Sequence, residues 1–154
     1  MKIALASDHG GLALKERVKE FLEGEGFEYE DLGTFDTGPV DYPDFALKAA
    51  EGVREGRFQR GIIMCGTGLG VSMAANKVPG IRAALCGDCF SARAAREHND
   101  ANILTMGERV TGPGLALEIV KVFLQSSFQG GRHQRRIDKI EEIEKRYGGG
   151  RENN

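Results

Sequence analysis

The sequence predicts an α/β fold, with a parallel sheet carrying helices on both faces. Three observations point to it. Short apolar runs of strand length recur along the 154 residues. Stretches with helical periodicity separate them, and the turns that follow the runs are rich in glycine. The length suits one domain, and a make-up of 40% hydrophobic and 29% charged residues is that of a globular chain. Residues 1–147 are expected to form that domain, and the small polar tail 148–154 to fray.

The first apolar run, Ile3 to Ala6, reads as a buried strand. Leu14, Val18, Phe21 and Leu22 then repeat at i, i+4, i+7 and i+8, and that helix stops at Gly24 and Gly26. A more polar run, Phe27 to Leu32, reads as a strand nearer the sheet edge. Pro43 suits the first turn of a helix reaching Ala50, because its missing N–H is not needed there. Gly61 to Met64, Ile81 to Leu85 and Asn102 to Met106 read as further strands. Helices fit Leu69 to Asn76, Cys89 to His98 and Pro113 to Leu124. From Arg136 to Tyr147 a last helix carries a thin apolar stripe of Ile137, Ile140, Ile143 and Tyr147. Such a helix docks on its own domain or on a partner subunit.

A net charge of −2 gives no overall attraction to nucleic acid or to an anionic membrane. Arg132, Arg135 and Arg136 nevertheless gather beside His133, a local cluster suited to a small anion. No run approaches the roughly 20 apolar residues of a membrane span, and the first residues are too short an apolar stretch for a signal peptide. Three cysteines make an odd count, and the Cys86–Cys89 spacing has no second pair to complete a zinc site. Those two read as small buried thiols, and the cytoplasm is the expected compartment.

In open parallel sheets the ligand sits beyond the carboxyl ends of the strands, so the residues there carry the functional argument. Ser7-Asp8-His9-Gly10-Gly11 follows the first strand, and its glycines let backbone approach a ligand. Cys65-Gly66-Thr67-Gly68-Leu69-Gly70 follows the third. Glycines at alternate positions there leave backbone N–H groups facing open space, a nest for phosphate or a developing oxyanion. Cysteines that precede a helix N-terminus in this way are frequently reactive. His98, Asn99 and Asp100 crowd the turn before the last strand, and a helix cap explains Asn99 and Asp100 but not His98. Arg132 and Arg136, four apart, share one helical face and could grip a phosphate.

These blocks, together with Asp41-Tyr42-Pro43-Asp44, Asn76-Lys77, Gly80-Ile81-Arg82 and Gly130-Gly131-Arg132-His133, resemble the type B ribose-5-phosphate isomerases. That group also includes allose-6-phosphate and galactose-6-phosphate isomerases. The resemblance runs in order from Lys2 to about Tyr147. It implies a five-stranded parallel sheet in a Rossmann-like α/β/α sandwich, and a dimer or dimer of dimers with active sites shared between subunits. It also implies a phosphosugar substrate and neither a metal nor an organic cofactor. Carried over by position, Cys65 is the base moving the proton between C1 and C2. His98, from the partner subunit, opens the furanose ring with Asp8 nearby. Gly66, Thr67, Gly68, Leu69 and Gly70 stabilise the enediolate. His9, Arg132 and Arg136, with Arg109 from the other subunit, hold the phosphate; Asn99 meets a sugar hydroxyl and Tyr42 lies beside the sugar. Some members place a glutamate base just after the glycine loop; Val71 stands there and cannot take a proton, which places this chain with the cysteine type.

A nucleotide- or flavin-binding module of the same architecture would leave Cys65, His98 and the arginines unexplained. A cysteine phosphatase would end its loop in arginine, whereas Leu69-Gly70-Val71 follow here. A non-catalytic subunit is disfavoured because both Cys65 and His98 are present. Pentose and hexose phosphates differ by one CHOH unit, and the sequence leaves that choice open.

Overall fold

The computed structural model describes residues 1–148, and among them no helix is long and apolar enough to cross a membrane. Strands β1 (Lys2–Ser7), β2 (Glu28–Asp31), β3 (Arg60–Cys65), β4 (Ala83–Leu85) and β5 (Ile103–Gly107) form one parallel sheet in the order β2-β1-β3-β5-β4. The helices are α1 (Leu12–Gly24), α2 (Tyr42–Arg54), α3 (Leu69–Ala75), α4 (Cys89–Glu97), α5 (Pro113–Gln125) and α6 (Arg132–Gly148). Gly148 ends α6, and the rest of the expected tail lies outside the described residues.

Alternation along the strands sorts the helices into two layers. Ile3 and Leu5 of β1 and Ile62 and Met64 of β3 pack with Leu14, Val18 and Leu22 of α1, Ala92 and Ala95 of α4, and Ile119, Val120 and Phe123 of α5. Ala4, Ala6, Ile63 and Cys65 face the other way, toward Ala46, Ala49 and Ala50 of α2 and Val71 and Ala75 of α3. Alanine on both the sheet and α2 lets that helix lie close. The three-layer α/β/α sandwich expected from the sequence is therefore the fold.

Strand β4 is shorter than the apolar run suggested. Ile81 is buried, but its N–H donates to Val78 O (3.1 Å) and that of Arg82 to Asn102 Oδ1 (2.8 Å). The ladder with β5 therefore begins only at Ala83. The first helix is also preceded by a 3₁₀ turn over His9–Gly11, with the Asp8 carboxylate accepting from Gly11 N–H at 3.1 Å.

The last helix starts a turn earlier than its apolar stripe, after Gly130 (φ 65°) and Gly131 (φ 57°) redirect the chain in a conformation that favours glycine. His133 and Ile137 are buried against the same chain. Glu141 lies 3.7 Å from Arg82, and the Glu144 carboxylate accepts from Gly80 N–H at 3.0 Å. This helix docks on its own domain, while Ile140, Ile143 and Tyr147 stay exposed.

Candidate active site

The strand order reverses between β1 and β3. From β1 the chain leads through α1 to β2 on one side; from β3 it leads through α3 to β4 on the other. The loops leaving the two strands part at this point and open a crevice beyond the carboxyl edge. Asp8 and His9 line it from β1, and Cys65 to Gly70 from β3.

Glycines bring these loops into contact. A Cβ on Gly11 would lie 2.6 Å from the Met64 carbonyl carbon, and one on Gly10 would lie 3.3 Å from Gly66 N. Gly68 has φ 78°, and a Cβ there would meet the Met106 backbone at 2.7 Å. Its N–H donates to Cys65 Sγ at 3.1 Å, while Leu69 N–H donates to Thr67 Oγ1 at 3.3 Å. The loop thus curls around the sulfur and aims the Gly68 N–H at it. Cys65 is buried but for its edge, and Thr67 and Leu69 are exposed on the crevice rim.

The β2–α2 connection forms a third wall. Ser7 N–H donates to Gly33 O (2.7 Å) and Thr34 N–H to Ser7 O (2.6 Å), which extends the pairing with β1 past the end of β2. Val40 N–H donates to His9 Nδ1 at 3.2 Å, so the neutral ring carries its proton on Nε2 and can donate there. The Tyr42 ring occupies the space over Gly70, where a Cβ would come within 2.6 Å of it.

His98 and Asn99 belong to a second cluster. Helix α4 runs back to the amino edge of the sheet, where His98 caps it just before β5. Arg96, 2% exposed, donates through Nη1 to Asp100 Oδ1 (2.8 Å) and Ala101 O (2.6 Å). Arg82 donates to Asp100 Oδ2 (3.2 Å) and Asn99 O (3.2 Å). Two arginines thereby hold Asp100 at φ 44°, a left-handed conformation uncommon outside glycine. The imidazole of His98 stacks on that of His133, with centroids 4.4 Å apart and planes within 12°. Burial, then His98, Arg132 and Arg136, push the His133 ring below its ordinary proton affinity.

The two clusters divide the expected residues differently from the sequence reading. Arg109, expected from the other subunit, lies with Cys65. Its N–H donates to Gly66 O at 3.0 Å, and a Cβ on Gly66 would lie 3.1 Å from its Nη1. Arg132 and Arg136, expected beside His9, open α6 at the amino edge with His98. The cause is the path of the chain: Arg109 follows the carboxyl end of β5 directly, and α5 then carries the chain back across the sheet. Asp8, His9, Tyr42, Gly66, Thr67, Gly68, Leu69, Gly70 and Arg109 gather around Cys65, and Asn99, Arg132 and Arg136 around His98.

Several supporting residues escaped the sequence reading. Lys15 is fully buried, 2.5 Å from Asp31 Oδ1 and 2.7 Å from Thr34 O, and it pins the β2–α2 loop to α1. Glu108 accepts from Leu14 N–H at 2.8 Å and so caps α1. Gly107 admits the Thr67 backbone, which a Cβ would meet at 2.4 Å. Lys15 interrupts the apolar face of α1, and that was the one available signal.

Known proteins resemble this chain over nearly its whole length. A family model described as ribose/galactose isomerase matches residues 3–140. The putative sugar phosphate isomerase YwlF of Bacillus subtilis is 56% identical over 95% of this chain and 99% of its own. Ribose-5-phosphate isomerase B of Escherichia coli is 45% identical over 94% of this chain and 97% of its own. The solved structure of ribose-5-phosphate isomerase B from Clostridium thermocellum superposes with a TM-score of 0.94 at 59% identity, covering 96% of this chain and 99% of that one. This chain belongs to the ribose/galactose isomerase family and is a sugar isomerase.

Proposed function

We propose that the protein interconverts ribose 5-phosphate and ribulose 5-phosphate, in a site that a second copy of the chain completes. The observation that carries the proposal is the seat of Cys65, its sulfur 3.1 Å from Gly68 N in a glycine loop against which the turn after Asp8 packs at Gly10 and Gly66.

Ring opening comes first. Asp8 takes the proton of the C1 hydroxyl while His98 of the second copy protonates the ring oxygen, which breaks the C1–O4 bond and leaves the open aldehyde. The Cys65 thiolate then removes the C2 proton. The electron pair of that bond forms the C1–C2 double bond, and charge develops on O1. Gly68 N–H is turned to Cys65 Sγ and Leu69 N–H to Thr67 Oγ1, and the other N–H groups of the Gly66–Gly70 loop, with the Thr67 hydroxyl, receive that charge. Return of the proton from Cys65 to C1, with transfer of the O2 proton to O1, yields the ketose. One base thus serves both carbons.

The phosphate lies between the two copies. His9, with Nε2–H free, and Arg109 approach it from the Cys65 chain, and Arg132 and Arg136 from the other copy. Tyr42 walls the sugar, and Asn99 of the second copy bonds a hydroxyl. Holding the phosphate fixes the far end of the open chain, so that C1 and C2 stay beside the sulfur. The exposed Ile140, Ile143 and Tyr147 stripe of α6 gives the pairing an apolar surface.

Ketose formation from ribose 5-phosphate, assayed with EDTA present and with allose and galactose 6-phosphates in parallel, tests the proposal. Turnover of ribose 5-phosphate above both hexose phosphates is expected. Activity confined to a hexose phosphate would overturn the substrate, and inactivity on all three would overturn the mechanism.

A further inference from the structure

The stack of His98 on His133 does more than fill space. His98 caps α4 where regular structure ends, and among the described residues no hydrogen bond from a neighbour orients its ring. His133 is better anchored. Its N–H donates to Gly130 O at 3.1 Å, it is 6% exposed, and Ile137 one turn later is buried.

We propose that His133 is a positioning residue, whose ring face sets the plane of the His98 imidazole for proton transfer to the sugar ring oxygen. The proposal rests on the ring-opening role given to His98 above. A contact between ring faces leaves both nitrogens of His98 unoccupied. A hydrogen bond would orient the ring as well but would engage one of them. Proton transfer needs an imidazole edge that is fixed in direction and free at its nitrogens, and stacking on an anchored ring supplies both.

The surroundings suit the partner role. Burial, together with His98, Arg132 and Arg136, disfavours a proton on His133. A neutral His133 face accommodates His98 in either protonation state, whereas two protonated rings 4.4 Å apart would repel. His133 thus stays a passive plate while His98 cycles its proton.

The test separates ring opening from enediolate formation. Turnover of ribose 5-phosphate requires both steps. Deuterium wash-in from D2O at C1 of ribulose 5-phosphate requires only the Cys65 step, because that ketose has its C5 oxygen esterified and is open-chain. His133→Ala is expected to lower ribose 5-phosphate turnover at least about tenfold while wash-in stays within about threefold. His133→Phe, which keeps a flat ring, is expected to restore turnover to within about threefold. His133→Leu, which fills the volume without a planar face, is read in the same way as the alanine variant should that one fail to fold. Equal losses in both readouts, no loss in either, or failure of His133→Phe to restore turnover would overturn the proposal. His98→Asn distinguishes the two levels. Selective loss there beside an unimpaired His133→Ala overturns the positioning role alone; equal loss of both readouts in His98→Asn overturns the ring-opening role and the positioning role with it.

Discussion

Cys65 and His98 stand at opposite ends of the same sheet: Cys65 ends β3 at the carboxyl edge, and His98 precedes β5 at the amino edge. From Ile103 to Gly107 the paired strands rise about 13 Å, at roughly 3.3 Å per residue. The two side chains of one copy therefore cannot serve the same pair of sugar carbons. If both act in one reaction, each site takes them from different copies. Mixed Cys65→Ala and His98→Asn proteins should then regain activity. In a mixed dimer one site carries both defects and the other carries neither, so random exchange restores about a quarter of the wild-type rate. Each variant alone should fall by roughly 10²- to 10⁴-fold. Persistent inactivity after demonstrated subunit exchange would place both residues in one chain's site.

Much of this arrangement is readable from residue order, and its failures have a physical cause. The strands are legible because Ile3 to Ala6, Gly61 to Met64 and, in the last run, Ile103, Leu104 and Met106 put apolar residues on both faces, which a sandwiched sheet requires. The loop at Cys65 is legible because glycine recurs at alternate positions directly after an apolar run of strand length. Partition of the arginines is not: Arg109 and Arg132 are both exposed cations, and only the return of the chain through α5 sends them to opposite edges. Lys15 hides for a related reason. Its partners, Asp31 at the end of β2 and Thr34 O in the loop beyond, are brought to α1 only by the path of the folded chain, which periodicity does not give.

Replacing that lysine should destabilise the protein sharply. In Lys15→Met the Asp31 carboxylate, 10% exposed, loses its nearest cation, and Lys19 at 3.7 Å compensates only in part. Breaking one side of a buried pair costs about 3–5 kcal/mol, and the lower end of that range is expected here. Adding Asp31→Asn should recover part of the loss, because a neutral amide oxygen still accepts from Gly33 N–H. Urea denaturation measures both effects. A cost below about 1 kcal/mol for Lys15→Met would mean that the pair contributes little beyond its desolvation.

The buried thiol of Cys86 predicts an alkaline effect. Burial, with a further contribution from the Asp88 charge, pushes it up to about 11 from an ordinary 9.0. Above pH 9 the unfolded chain releases this proton while the folded chain keeps it, so the folded state holds more protons and stability falls as pH rises. The contribution is fully present below pH 9 and is lost as pH rises through about 11. Cys86→Ala should therefore show a shallower decline in unfolding free energy between those values, on top of a constant packing cost. Parallel curves for the two proteins would mean that Cys86 ionises alike in both states.

Gly107 tests whether the shape of the loop after Cys65 matters apart from its chemistry. A Cβ at this position would lie 2.4 Å from the Thr67 carbonyl carbon and 2.6 Å from its Cα, both backbone atoms that cannot rotate away. Gly107→Ala must displace the Thr67 segment, and with it the N–H groups to which the proposed mechanism gives the charge on O1. Misplacement of about 1 Å costs on the order of 10² in rate, while overpacking costs about 1–3 kcal/mol of stability. Gly112→Ala is the control, since nothing lies within 4 Å of its added Cβ. The expected result is a folded Gly107→Ala protein with kcat reduced about a hundredfold beside a control with unchanged turnover. The two losses are separable because stability sets how much protein is folded, whereas loop geometry sets how fast the folded fraction turns over. A Gly107→Ala protein with kcat per folded molecule within about twofold of wild type would show that Thr67 and its neighbouring amides need not be held where the structure places them.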